Sequence, residues 1–350
     1  MKSFRIDDTA AASSGSIERA MLNASKRKRS RKDVQRRLDK MEETIATLQV
    51  VIEERSYNPR HHEAIVINEN GPHKERQIIK PDYFPEQIMH HVAVQALHPC
   101  IMHGMGAFVL GSIPGRGAHY GKRYIEKWLR HDEKNTRIIG KLDIRHFFQS
   151  VDHELLKAWI HKKIRPGKIR DLCDLIIEGV EEGLPLGFYT SQWFSNFLLQ
   201  PLDHFIMEEL HVSHMARYMD DIVIFGSNKK TIHAAMEAID FYLWNNFRLE
   251  MKKNWQVFRM EYVTTEYAIE CEKLGDLYAL HDALPVKHQL KMYKGRRKIF
   301  LKANARNEAV MDEYLEKYGA KAETVRMTHG RALDFMAVSY THLTLPTNSR

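Results

Sequence analysis

The feature that most constrains this chain is a pair of adjacent aspartates between two short segments. Tyr218-Met219-Asp220-Asp221 follows Ser213–Arg217 and precedes the apolar run Ile222–Phe225. This pattern predicts a β-hairpin that carries two carboxylates at its turn. Neighbouring carboxylates repel each other unless a cation lies between them. The pair therefore predicts a site for divalent metal ions of the kind that supports phosphoryl transfer, with an ordinary solvated turn as the alternative.

A third carboxylate is expected from an earlier segment. Residues Arg137–Ile144 form an apolar run with one acid near its end, Asp143, and a helix is predicted from Glu154 to Lys163. Taken alone, an aspartate after a strand is typical of a helix cap or a loop. The hairpin further along the chain makes Asp143 the candidate for this third carboxylate.

These two motifs resemble those of reverse transcriptases. Lys141-Leu142-Asp143-Ile144-Arg145-His146-Phe147-Phe148 resembles the first palm motif of the family, and Tyr218-Met219-Asp220-Asp221 resembles its catalytic hairpin. The resemblance implies an α/β (α+β) polymerase right-hand fold with fingers and palm. It also implies two Mg²⁺ ions, for which Mn²⁺ can substitute. The implied metal-binding residues are Asp143, Ile144, Asp220 and Asp221, and the three aspartates are the implied catalytic residues.

The segment between the two motifs bears on the subfamily. Pro185-Leu186-Gly187 occupies the place where most reverse transcriptases have Pro-Gln-Gly, and Thr190-Ser191-Gln192 follows. The aliphatic residue is similar to the enzymes of diversity-generating retroelements in bacteria and phages, whose copying is error-prone. A plain loop with a helix N-cap at Thr190 or Ser191 is the alternative from the residues alone.

Further residues receive roles from the same resemblance. A strand is predicted at Lys74–Ile79, a helix at Glu86–Leu97, and a glycine-rich turn at Gly111–His119, where many relatives have arginine in place of Ile113. Phe148 corresponds to the steric gate against a ribose 2′-hydroxyl, and Lys253 to the acid that protonates leaving pyrophosphate. The implied nucleotide-binding residues are Lys74, Arg76, Arg116, Phe148, Leu186, Gly187, Tyr218 and Met219.

The charge of the chain is consistent with a nucleic-acid partner. Lys and Arg total 53 against 45 Asp and Glu, which gives a net charge of +8. The basic run near the N-terminus predicts nucleic-acid binding by Lys26, Arg27, Lys28, Arg29, Arg31 and Lys32. The solvated face of a helix is the alternative. The expected partners are an RNA template, a DNA or RNA primer, dNTPs, and an accessory protein at the basic N-terminal helix, but no membrane.

The organisation along the chain is predicted from these landmarks. A disordered start and basic helical extension covers 1–56, with residues 1–16 disordered; fingers cover 57–136, palm 137–260, a basic helical insertion 261–329, and the start of a primer-grip strand 330–337. The last residues, 338–350, resemble a translated sequencing adapter, which predicts a truncated thumb and a non-native tail. A genuine polar tail is the alternative.

The predicted function is that of an RNA-directed DNA polymerase from a phage or bacterial retroelement. Two other functions remain open at this point: an antiphage-defence reverse transcriptase, and an RNA-binding module without catalysis. Cys100, Cys173 and Cys271 have neither metal-ligand spacing nor an even number for a disulfide framework, which favours an intracellular protein. The resemblance implies the cytoplasm of a bacterial host or a phage-infected cell.

Overall fold

The protein is built of helices and small sheets, which confirms the mixed fold class. A computed structural model describes residues 3–60, 64–68, 75–260, 264–283, 290–293, 295, 297–303, 313, 315–328, 333–336 and 338–340. The helices are α1 (Asp8–Ala11), α2 (Ser14–Ala24), α3 (Lys32–Asp39), α4 (Met41–Glu53), α5 (Ile88–His103), α6 (Ala118–His131), α7 (Glu133–Thr136), α8 (His153–Lys163), α9 (Lys168–Glu178), α10 (Tyr189–Leu198), α11 (Gln200–His204), α12 (Lys229–Phe247) and α13 (Leu274–Ala283).

Among the described residues, the strands form four sheets. They are β1 (Ile65–Asn68), β2 (Glu75–Ile78), β3 (Ile138–Asp143), β4 (His214–Tyr218), β5 (Asp221–Gly226), β6 (Gln256–Arg259), β7 (Thr264–Glu270), β8 (Leu290–Tyr293), β9 (Lys298–Ala303), β10 (Lys321–Thr328), β11 (Leu333–Phe335) and β12 (Val338–Tyr340). The strand orders are β1-β2, β10-β7-β9-β8, β11-β12 and β4-β5-β3-β6. Across the described residues, no helix combines the length and apolar character needed to span a lipid bilayer.

The chain divides into two compact units. The first comprises Met1–Gly117, Lys141–Ile222 and His233–Trp255, and the second comprises Ala118–Gly140, Val223–Ile232 and Gln256–Arg350. In the first unit, α2 packs against α4 and α5, and α5 also packs against α9 and α10. All three predicted aspartates, Asp143, Asp220 and Asp221, belong to the first unit.

The N-terminal residues differ from the prediction of disorder. Residues 3–16 are ordered: the side chain of Asp7 caps α1, and that of Ser13 caps α2. Phe4 adds a backbone bridge to Ile164, and its ring lies edge-on to the ring of His103 at 5.2 Å between centroids. Disorder was predicted because this segment is rich in short polar residues. In the structure, such residues cap helices, and the second of these helices buries Ile17 and Met21.

Asp8 connects this N-terminal segment to α9. Its carboxylate accepts hydrogen bonds from the backbone amides of Lys168 at 2.8 Å and Ile169 at 3.1 Å, the first two residues of that helix. We expect Asp8→Ala to lower the free energy of unfolding by about 1–2 kcal/mol, because both amides lose their acceptor. Chemical denaturation measures the change, with the exposed Asp39→Ala as the matched control. Equal stability of the two variants would contradict this role.

The predicted helical insertion at 261–329 is largely a sheet. Strands β7, β8, β9 and β10 pair in antiparallel fashion, and α13 is the helix described there. In β9, Ile299 and Leu301 are buried in the core of the second unit, and Phe300 lies between them in the sequence. The helix prediction rested on the basic character of this segment, whereas the spacing of its buried residues has the period of two of a half-buried strand.

Other predicted elements agree with the structure. The helix expected at Glu154–Lys163 is α8, the strand expected at Arg137–Ile144 is β3, and the strand expected at Lys74–Ile79 is β2. The expected strand after residue 330 is β11, which pairs with β12 within the segment expected to be non-native. Between α2 and α3, the basic run forms turns at residues 25–30 and does not continue as a helix.

Candidate active site

The β4–β5 hairpin presents the two adjacent aspartates as predicted. Met219 and Asp220 join the strands, and Met219 has a left-handed backbone with φ of 58° while its side chain is buried. A left-handed conformation costs a non-glycine residue about 1–2 kcal/mol, so other contacts must hold this turn. Tyr218 is 37% exposed at the end of β4.

The end of β3 brings Asp143 to the same place. The amide of Ile144 donates to the carbonyl of Asp220 at 3.3 Å, and the amide of Lys252 donates to the carbonyl of Asp143 at 2.9 Å. Ile144 also forms an antiparallel bridge with Met251. The backbone thus joins the end of β3 to the hairpin turn on one side and to residues 251–252 on the other.

The electrostatics of the three carboxylates reflect this proximity. Burial, reinforced by the negative charges of Asp143 and Asp220 and opposed by Lys141, raises the pKa of Asp221 to about 7. Burial and the charge of Asp143 also raise the pKa of Asp220. Among the described residues, the Oδ1 atoms of Asp143 and Asp221 are buried without a hydrogen-bond partner. Buried acceptors without a donor and clustered negative charge fit a divalent cation, whose preferred ligands are oxygens.

Two lysines partly neutralise this cluster. Lys252 Nζ lies 2.8 Å from Asp143 Oδ2, and Lys141 Nζ lies 3.9 Å from Asp221 Oδ2. In the part of the chain that the structure describes, no three or more His, Cys, Asp or Glu side chains form a ready-made metal cage.

Phe148 and the Pro185-Leu186-Gly187 loop are adjacent. The carbonyl of Phe148 accepts a hydrogen bond from the amide of Leu184 at 2.6 Å, and the amide of Ile79 donates to the carbonyl of Leu186 at 2.8 Å. Gly187 has φ of 111°, and a Cβ there would lie 2.1 Å from the carbonyl oxygen of Ile79. Only glycine permits this close approach, which holds the loop against the residue after β2.

Leu186 also lines a cavity of about 310 Å³. Other residues of its wall come from the end of β2, from the segment after Phe148 and from the same loop: Gln77, Ile79, Gln149, Leu184, Pro185 and Phe188. The wall also carries the charged side chains of Arg60, Glu181 and Glu182, so the cavity combines apolar, amide and charged groups.

The residues predicted to contact the triphosphate have different surroundings in the structure. Arg116 Nη1 donates to the carbonyls of Gly106 at 2.6 Å and Val109 at 3.2 Å, so this guanidinium supports the backbone beside its own turn. The backbone of Arg76 lies in β2 opposite Ile67, and Lys74 lies outside the described residues. Lys253 is exposed, while its neighbour Lys252 makes the contact to Asp143.

Part of the basic run faces the protein. Lys28 donates to Gln87 Oε1. Beyond the run, in α3, the guanidinium of Arg37 lies 3.7 Å from the ring centroid of Phe84. The other predicted nucleic-acid-binding side chains are exposed: Lys26, Arg27, Arg29, Arg31 and Lys32. The run is therefore a basic surface with one lysine committed to an internal contact.

Sequence reasoning missed three buried polar residues below the hairpin. Arg217 is fully buried and is hydrogen-bonded to Asp203 and Asn196. A signal was available, because Arg217 directly follows the apolar Met215 and Ala216 in a short strand. A charge in such a strand requires a buried partner.

A comparison with models of protein families finds one match. Residues 67–274 match the family model described as reverse transcriptase (RNA-dependent DNA polymerase). No curated protein matches the chain in sequence.

Two solved structures illustrate the structural likeness. Apo telomerase from Candida tropicalis, truncated from the C-terminal domain, is 14% identical and aligns with a TM-score of 0.41 over 60% of this chain and 53% of that chain. Telomerase from Candida albicans in complex with a fragment of telomeric RNA is 13% identical, with a TM-score of 0.40 over 56% of this chain and 41% of that chain. The chain thus spans about half or less of the telomerase chains it matches.

Proposed function

Since the chain belongs to the family of reverse transcriptases, the RNA-dependent DNA polymerases, we propose that it copies an RNA template into DNA. Its proposed substrates are dNTPs and the 3′ end of a DNA or RNA primer. The observation that carries the proposal is the convergence of Asp143, Asp220 and Asp221, with two buried carboxylate oxygens that lack a hydrogen-bond partner in the described residues.

Divalent metal ions belong to the chemistry of this family, and we propose Mg²⁺. Asp143, Asp220 and Asp221 would hold two ions, with Ile144 beside them. When bound, such ions activate the primer hydroxyl and stabilise the charge of the leaving pyrophosphate. The residues fit this role because their carboxylates are half-buried and their negative charges are clustered, which raises the pKa values of Asp220 and Asp221.

The remaining residues of the site have proposed roles in binding the nucleotide. Phe148 excludes a 2′-hydroxyl, and Leu186 and Gly187 border the base, which is consistent with the cavity beside Leu186. Tyr218 and Met219 are proposed to contact the nucleotide at the hairpin, and Lys74, Arg76 and Arg116 to contact the triphosphate. Lys252 is engaged with Asp143, which leaves Lys253 as the proposed acid for pyrophosphate.

Primer extension tests the proposed function directly. We expect wild-type protein to add dNTPs to a primer annealed on RNA when Mg²⁺ or Mn²⁺ is present, and to stop when EDTA removes the metal. A DNA template of the same sequence serves as the comparison. Binding of RNA without incorporation under either metal would support a module that lacks catalysis.

The basic surface is proposed to bind RNA through its phosphates. Each lost phosphate contact lowers the slope of log affinity against log salt by about 0.7 for a single strand. We expect Lys26→Ala, Arg27→Ala and Lys32→Ala together to flatten that slope and to weaken binding equally on unrelated templates. Replacing the exposed Lys229 and Lys230 is the matched control. An unchanged slope would favour the surface as a contact for an accessory protein.

The biological setting is proposed from Leu186, the residue that differs from the family's usual glutamine. We propose a bacterial or phage retroelement of the diversity-generating type, acting in the cytoplasm, where buried free thiols such as Cys100 and Cys173 remain reduced. The neighbouring genes test this setting. A template and variable repeat pair would support it, and a cluster of defence genes would favour an antiphage role.

A further inference from the structure

Arg217 is an ion buried directly beneath the proposed catalytic hairpin. Its side chain has no exposure to solvent, and its partner Asp203 is also buried. The guanidinium forms two parallel bonds to this carboxylate, from Nε to Oδ1 at 2.7 Å and from Nη2 to Oδ2 at 2.7 Å. Replacing such a buried pair by apolar residues of similar volume is often neutral or stabilising, so the pair is weak evidence for a role in stability alone.

The remaining nitrogen of Arg217 points at the turn. Nη1 donates to the carbonyl of Met219 at 3.2 Å and to Asn196 Oδ1 at 2.8 Å. Met219 is the residue with the left-handed backbone, directly before Asp220. A bond to its carbonyl orients the peptide plane that leads into Asp220. The fork held by Asp203 fixes where this nitrogen lies, which a flexible ammonium could not do.

Asn196 extends the network to the glycine-rich turn. Its Nδ2 donates to the carbonyl of Gly111 at 2.9 Å. A Cβ at Gly111 would lie 2.8 Å from the amide nitrogen of Met219, so the two backbones touch. The amide of Leu110 also donates to the carbonyl of Arg217 at 2.8 Å, and the amide of Arg217 to the carbonyl of Phe108 at 3.0 Å. One buried arginine thus contacts the hairpin turn directly and the Gly111 segment through Asn196.

We infer that Arg217, fixed by Asp203 and Asn196, is a positioning residue that sets the hairpin turn, and with it Asp220, relative to the Gly111 segment. This inference rests on the proposed function, because it assigns Arg217 to the proposed metal-binding carboxylates. Arg217 itself touches no reacting atom. Its effect passes through the Met219 carbonyl and Asn196.

The test separates positioning from stability by replacing the whole ion pair. Arg217→Met alone leaves a buried carboxylate without its partner, and we expect it to destabilise the fold strongly. The double variant Arg217→Met/Asp203→Leu removes both charges, and we expect a melting temperature near wild type. We expect the double variant to lower single-nucleotide incorporation by about tenfold to a hundredfold, as for a small misplacement of reacting groups. RNA affinity should stay unchanged.

A second measurement reports on metal binding by the carboxylates and does not depend on catalysis. Electron paramagnetic resonance counts free Mn²⁺, and we expect the double variant to bind Mn²⁺ more weakly than wild type. The matched control is Lys157→Met/Glu178→Leu, which removes an ion pair between α8 and α9 and should change neither quantity. A stable double variant with wild-type Mn²⁺ binding and wild-type incorporation would overturn the inference.

If the double variant does not fold, Asn196→Ala decides, because it keeps the Arg217–Asp203 pair and removes the bond to Gly111. Unchanged Mn²⁺ binding and incorporation in Asn196→Ala would then overturn the inference. A wild-type protein that binds Mn²⁺ and adds no nucleotide would count against the proposed function. In that case, a loss of Mn²⁺ binding in the variants would still support the positioning role of Arg217.

Discussion

Asp220→Asn lowers dNTP incorporation by at least about a hundredfold, the expected loss when a preorganised charge is removed from a reacting centre. Asparagine retains the shape of the side chain and one oxygen but supplies no negative charge to a metal ion. The same change removes a repulsive neighbour of Asp221, whose pKa is raised to about 7 by burial first and by Asp143 and Asp220 next. We therefore expect the metal-free variant to be more stable than wild type while it is almost inactive.

The two expected effects of Asp220→Asn have opposite directions, because incorporation falls while the stability of the metal-free protein rises. Measuring both distinguishes the loss of a catalytic charge from a folding defect. Single-turnover incorporation on an RNA template gives the rate, and thermal unfolding in EDTA gives the stability. Asp240→Asn is the matched control, because Asp240 is an exposed acid on α12. Incorporation by Asp220→Asn near the wild-type rate would contradict the assignment of the carboxylates. A loss of rate with a loss of stability would point to a folding defect.

The hairpin and β3 were predictable because their signals are local. Ile222–Phe225 is an apolar run between an acidic pair and a glycine, and Leu142 precedes Asp143 in a run of the same kind. Strands of this kind follow from a few neighbouring residues. The convergence of Asp143 with the hairpin is a long-range fact, and it came from the resemblance to a family, since neither segment contains information about the other.

The buried partners were not predictable in the same way. Arg217 needs a carboxylate, but Asp203 is only one of several acids that could supply it, and only the packing of α11 against β4 selects it. The lysine that contacts Asp143 is Lys252 and not its neighbour Lys253. This follows from the backbone directly after Met251, which forms a β-bridge with Ile144, and no sequence pattern distinguishes the two lysines. Similarly, Asp8 caps a helix about 160 residues away, which no local pattern indicates.

Phe148→Ala should admit ribonucleotides. The ring is half-buried, and its centroid lies 5.4 Å from that of Phe147, tilted by 57°. The contact that holds the adjacent loop comes from the backbone carbonyl of Phe148, which accepts from Leu184, so the loop keeps this bond when the ring is removed. We expect the ratio of NTP to dNTP incorporation to rise by roughly 10- to 200-fold, the range for a change in steric fit of a pocket.

A graded series distinguishes steric exclusion from a general loss of activity. Phe148→Leu keeps part of the side-chain volume, and we expect its NTP to dNTP ratio to lie between those of wild type and Phe148→Ala. Because exclusion acts on the 2′-hydroxyl, the change should appear as faster NTP use with dNTP use less affected. Phe147 is buried and belongs to the core, so its truncation is expected to cost stability and not selectivity. An unchanged ratio in Phe148→Ala, with dNTP incorporation intact, would remove Phe148 from the role of steric gate.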